Sequence, residues 1–361
     1  MFLAIIIAFI SLMSLLAIHE FGHFILAKKF GVRVEEFGFG YPPRIFGKKI
    51  GETIYSINII PFGAFVKIYG EEGEGNREPW NFLAKPIWQR MLIILGGVVS
   101  FWIIAIILLS MVAYLGEPVS IGDQDNNFSN PKVQILAVSP ESPADKAGIE
   151  IGDIIKEVRS GEEVLTIDKI KQVQDFNTLH KGKEITLTLK RGEEIFEKKL
   201  FLRESFPEEE GMMGVALVRT SFQKYSWKEA PLAGVIATKD LTIAAISGWI
   251  QIFSSLIKDK AMPEGADVVG PVGIFHLFVQ MENLGLVYFL RFVAIVSIFL
   301  ALTNLLPIPA LDGGKMLFLT IEAIKGKAVD SRLEQKITTV CFVLLICLLV
   351  VATVKDVIRI F

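Results

Sequence analysis

An apolar run from Phe2 to Ala27 contains His19-Glu20-Phe21-Gly22-His23, and no other stretch restricts the fold as much. At 1.5 Å per residue a helix of this length crosses a bilayer. Within the hydrocarbon every backbone polar group must be paired inside the element, which leaves helix as the expected conformation. Helical residues four apart share a face, so the two imidazoles come together with Glu20 one step round. Ionisable groups at that depth are costly and face a protein interior with a partner. A divalent cation supplies that partner. Zinc held by three protein ligands keeps a fourth position open, and Glu20 is the adjacent carboxylate able to shuttle a proton. The run lacks the basic n-region of a leader peptide, and its removal would discard all three residues, so it is expected to remain as a helix.

The rest of the chain has the same character. Hydrophobic residues make up 52% of 361, mean hydropathy is +0.50, and the apolar residues come in blocks. The expected class is a polytopic α-helical membrane protein with about four spans: Phe2 to Ala27, Met91 to Leu115, Leu284 to Leu306 and Ile337 to Val354. Net charge is −2, with no basic patch of the kind that binds nucleic acid. The two cysteines, Cys341 and Cys347, lie in the last apolar run and offer neither a disulfide framework nor a cysteine metal site. Lys28, Lys29, Arg33, Arg44, Lys48, Lys49, Lys67, Arg77, Lys85 and Arg90 all fall between the first two spans. That connection is therefore expected in the cytoplasm, with the N-terminus outside. His23 and His19 then lie roughly 7 to 14 Å beneath the cytoplasmic face.

Between these spans, residues 36–69 read as short β-branched and aromatic strands broken by Gly and Pro. Such a sheet either offers an edge to an extended substrate or plugs the cavity beside the site. After the second span, a soluble domain is expected over residues 132–203. Its Ser142 to Ile155 stretch resembles the PDZ signature of bacterial envelope proteases, implying either a groove for peptide termini or a steric module. Residues 204–283 form a linker in which Ala230 to Ile257 is apolar but interrupted by Lys239-Asp240. The second span ends outside and the third must run inward, so an even number of crossings is needed between them. This segment is therefore expected to lie on the surface as an amphipathic helix.

The third span stops at Asn304-Leu305-Leu306-Pro307-Ile308-Pro309-Ala310-Leu311-Asp312-Gly313-Gly314. Prolines cannot continue a helix and glycines permit tight turns, so Asp312 sits on irregular chain at membrane depth. It is the best remaining third ligand. Lys315, Lys325, Lys327, Arg332 and Lys336 place it on the same side as the histidines.

With His-Glu-x-x-His in the first span, this proline-rich Asp-Gly-Gly segment after the third and a PDZ-like insert between, the chain resembles the site-2 proteases. It is most similar to the bacterial branch that cleaves membrane-spanning anti-sigma factors, through Pro61 to Lys67 and Gly270 to Ile274 as well. The resemblance implies that His19, His23 and Asp312 bind zinc, that Glu20 activates water and that Asn304 holds the substrate backbone. It also implies that the 36–69 sheet is a membrane-reentrant β-loop presenting substrate. In the second span the family's small-Gly-Pro-x-x-Asn pattern is replaced by Gly96-Gly97-Val98-Val99-Ser100-Phe101. His180 and His276 match no ligand position.

The expected activity is regulated intramembrane proteolysis of single-span membrane proteins already trimmed outside, or of remnant signal peptides, in the bacterial inner membrane. Both termini and the PDZ-like domain would be extracytoplasmic. Two other classes were open. A scaffold with a structural metal is disfavoured because structural zinc is closed by four protein ligands. A metal transporter accounts for neither the PDZ-like segment nor the spacing of Glu20.

Overall fold

The computed structural model describes residues 2–71, 78–125, 130–207, 210–258 and 269–360; Arg77, one of the cations used to orient the chain, lies outside them. In chain order the elements are α1 (Phe2–Lys29), β1 (Val34–Ile50), β2 (Thr53–Ile68), α2 (Ile87–Leu115), β3 (Glu117–Ser120), β4 (Lys132–Val138), α3 (Pro143–Lys146), β5 (Ile154–Ser160), β6 (Glu163–Thr166), α4 (Ile170–Leu179), β7 (Glu184–Arg191), β8 (Glu194–Phe201), β9 (Val215–Gln223), α5 (Ala230–Ile257), α6 (Pro271–Leu284), α7 (Leu286–Leu305), α8 (Asp312–Lys325) and α9 (Ser331–Ile360). They divide into two units. One is residues 1–111, 231–280 and 290–361; the other is 112–230 with 281–289.

The described residues contain five helices long and apolar enough to cross a membrane, one more than expected. The addition is Ala230–Ile252, the stretch expected to lie on the surface, which is long and apolar enough to cross by length and composition. α5 runs antiparallel along α2: Gly234 lies against Ser110 and Ile106, and Trp102 donates to Thr242 at 3.3 Å. Its Ala237, Leu241, Ala245 and Trp249 pack with Ala105 and Leu109 of α2 and Ala294, Ile298 and Leu302 of α7. Small residues let membrane helices approach closely, and here they supply the contact face. Lys239 and Asp240 pair with each other at 3.3 Å on the outward side. α6 breaks from α7 at Gly285 (φ +113°) and runs back beside it, with Phe278 edge-on to Phe292 at 4.9 Å.

The 36–69 segment is two long strands rather than several short ones, but their register divides them. Residues 34–39 pair on one side with 64–68 and on the other with 54–57, and residues 44–50 pair with 53–58. Four segments thus form one small sheet with 64–68 at an edge. Its surface is unusually apolar: Ile45, Phe46, Ile57, Ile59 and Phe62 are all exposed. A contiguous apolar patch of this kind marks a lipid or binding surface.

The second unit is a seven-stranded sheet in the order β3-β9-β4-β5-β7-β8, with β6 on β5. Alternate residues of its strands, including Val133, Ile135, Ile155, Leu187 and Leu189, point into a core with Val173 and Phe176 of α4. β3 and β9 lie outside the expected 132–203, because β9 returns through the sheet to pair with β4 and β3. Asp153, fully buried, accepts from Arg191 at 2.7 and 2.9 Å. Arg191→Ala is expected to lower the stability of this unit by about 2–3 kcal/mol, below the range for a fully enclosed pair because the guanidinium is partly exposed. A melting curve on the purified protein checks this.

Candidate metal centre

α1 delivers His19 and His23 on one face, four residues apart, both 8% exposed. α8 delivers Asp312 as its first residue. The chain reverses tightly there: a side chain on Gly313 or Gly314 would come within 2.3 Å of the carbonyl oxygens of Leu306 or Ile308. Glycine alone permits this approach.

The three candidate ligand atoms form a nearly equilateral triangle. His19 Nε2 and His23 Nε2 are 3.2 Å apart, and Asp312 Oδ2 is 3.2 and 3.3 Å from them. Tetrahedral bonds of the length zinc makes to nitrogen and oxygen separate ligand atoms by about 3.3 Å. Asp312 Oδ2 is also buried without a hydrogen-bond partner. An orphaned carboxylate oxygen facing two imidazole nitrogens is expensive unless a cation lies among them. Among the described residues this is the one group of three such side chains whose ligand atoms converge. The residues present therefore fit zinc.

The surroundings orient the ligands. His23 Nδ1–H donates to the Ile93 carbonyl at 2.9 Å, leaving Nε2 free to ligate. Phe101 stacks on His19 at 4.8 Å between centroids, 17° from parallel. Gly97 brings the α2 backbone against both rings: a Cβ there would stand 2.2 Å from His23 Nε2. On α1, immediately before His23, a Cβ on Gly22 would stand 2.2 Å from the Gly96 carbonyl oxygen.

Glu20 is anchored from another direction. The Val66 N–H, on the edge segment of the small sheet, donates to Glu20 Oε2 at 3.1 Å. Two to three turns up α1, Gly63 N–H points to Met13 Sδ at 2.9 Å and Phe9 meets Phe62 edge-on at 5.9 Å. The sheet edge thus lies along the helix bearing the ligands. Asn304 is apart from the triangle in its bonding: its side chain donates to the Leu300 carbonyl of its own helix at 2.9 Å. His180 pairs with Glu163, and His276 with Gln280.

Sequence reasoning assembled His19, His23 and Asp312 from residue type and side of the membrane. It did not find the Ile93 carbonyl or the Val66 N–H, because backbone groups carry no residue signature. Gly96-Gly97 was a usable signal, since paired glycines in a span mark close backbone approach.

Comparison with known proteins gives a consistent picture. The profile of Peptidase family M50 matches residues 7–348. A Clostridium perfringens protein named for zinc metalloprotease activity is 35% identical over 361 residues, covering 98% of each chain. The regulator of sigma-W protease of Bacillus subtilis is 26% identical over 448 aligned residues and covers 100% of each. A zinc metalloprotease of Shouchella clausii is 27% identical, covering 99% of each.

Proposed function

The chain belongs to Peptidase family M50, whose members are zinc metalloendopeptidases, and from that premise we propose that it cuts peptide bonds within or beside the membrane-spanning segments of other proteins. The observation that carries this reading is the position of the triangle. His19 and His23 lie inside a candidate span, Ile5–Lys29, so substrate has to be brought to membrane depth.

In this proposal His19, His23 and Asp312 hold zinc and Glu20 is the general base. Bound zinc supplies a Lewis acid and brings the pKa of a coordinated water towards neutrality. Glu20 takes the proton from the attacking water and returns it to the leaving amine. Val66 N–H holds the carboxylate in place for both transfers. A substrate helix must unwind first, because its carbonyls are already hydrogen-bonded. The 64–68 edge offers main-chain partners to the unwound strand, and Asn304 is the candidate to hold its backbone.

The natural substrates in this reading are single-span membrane proteins already trimmed outside, or remnant signal peptides. The second unit, read as PDZ-like, contacts peptide termini and screens what enters. The name of the Bacillus subtilis relative, a regulator of sigma-W protease, supports a regulatory role. The proposed setting is a bacterial inner membrane, with the second unit and both termini outside and the metal centre towards the cytoplasm. Lys28 and Lys29 at the end of α1 support that orientation.

A test uses the purified protein in detergent micelles with a generic single-span substrate. Cleavage stopped by a chelator and restored by zinc, with mass spectrometry placing the cut inside or beside the apolar segment, is expected. Cuts confined to distant polar flanks, or activity indifferent to the chelator, would falsify the proposal.

A further inference from the structure

Arg90, near the start of α2, forms a bidentate ion pair with Glu322 of α8. Nη2–H donates to Oε1 at 2.5 Å and Nη1–H to Oε2 at 3.1 Å, with the side chains 6% and 19% exposed. Neither touches the ligand triangle. Two enclosed charges add little net stability over apolar residues of similar size. What a two-bond fork contributes is a fixed geometry.

The fork joins two parts of the metal centre. α8 begins at Asp312. On α2, Ile93 lies three residues after Arg90, and its carbonyl orients His23. The helices also share an apolar contact, in which Leu319 packs with Ala27, Val32, Ile93 and Ile94. Apolar packing tolerates small slips, whereas the fork does not. A second tether, from Lys315 to Glu71, is half-exposed on the lysine side and correspondingly weak.

We propose that Arg90 and Glu322 are a positioning pair that sets the axial register of α8 and so holds the Asp312 carboxylate against the two imidazoles. The inference rests on the metal-centre reading above. A helix is stiff along its axis, so a slip at Glu322 is delivered to Asp312 about 15 Å away. Ligand geometry tolerates displacements of only about 0.5 Å.

The test titrates cobalt(II), with its d–d absorption reporting coordination, into the full chain in detergent. The variants are Arg90→Lys, Glu322→Gln, the exchanged pair Arg90→Glu with Glu322→Arg, and Asp312→Asn. Gel filtration and far-ultraviolet circular dichroism confirm folding. Each single variant of the pair is expected to bind cobalt roughly 10- to 100-fold more weakly, the usual range for losing a group that orients a ligand, with an altered d–d band. The exchanged pair is expected to regain part of that loss. If Glu322→Gln does not fold, Arg90→Lys, which keeps the charge but loses the fork, carries the measurement. Single variants within twofold of the parent and with its spectrum overturn the inference, as does an exchanged pair no tighter than either single. Parental cobalt binding by Asp312→Asn would instead overturn the metal-centre reading.

Discussion

Glu20→Gln is expected to keep zinc at one per chain and to lose cleavage by roughly 10²- to 10⁴-fold, the range that general acid–base groups contribute. The amide has the shape of the carboxylate and its oxygen can still accept from Val66 N–H, so placement survives while the basic group is gone. Zinc content by atomic absorption and cleavage of a single-span substrate, measured on the same preparation, separate two roles. Metal retained with activity lost assigns Glu20 the proton transfers. Cleavage equal to the parent would refute that role, and loss of metal would make Glu20 a structural member of the site.

A comparably large effect, on stability, is expected from Gly22→Val. Its Cβ would lie 2.2 and 2.6 Å from the Gly96 carbonyl oxygen and carbon, and backbone cannot move aside as a side-chain tip can. α1 and α2 must separate. The expected loss is about 3 kcal/mol, the upper end for overpacking, together with zinc, because Ile93 and Gly97 move away from the imidazoles. Gly248→Ala is the matched control: nothing lies within 4 Å of a Cβ there, and replacing helical glycine should stabilise by up to about 1 kcal/mol. A melting curve and zinc assay on both variants check the pair. A Gly22→Val protein that melts with the parent and keeps its zinc would show that the helices part without consequence.

Much of this was legible in the sequence because membrane physics leaves few options. A run such as Phe2 to Ala27 can only be a helix, and the spacing of His19 and His23 then fixes their common face. Asp312 followed from chain punctuation, since Pro307 and Pro309 end a helix and Gly313-Gly314 permit the reversal. The packing of α5 was not legible, for a reason of the same kind. Hydropathy and charge describe one helix at a time, whereas Gly234, Ala237 and Ala245 matter only against α2 and α7. β3 and β9 were missed because strand pairing across the length of a domain leaves no local pattern.

The two imidazoles and the carboxylate lie near opposite ends of the chain. During synthesis His19 and His23 are made early, while Asp312 follows only after a whole seven-stranded sheet and three further candidate spans. Closing so long a loop comes late in assembly, as folding proceeds from the N-terminal end during translation. A chain stalled, degraded or broken anywhere before Asp312 therefore lacks the third of the candidate ligands. For a peptidase immersed among membrane proteins, the order of residues along the chain acts as a safety catch that holds until Asp312 has been made.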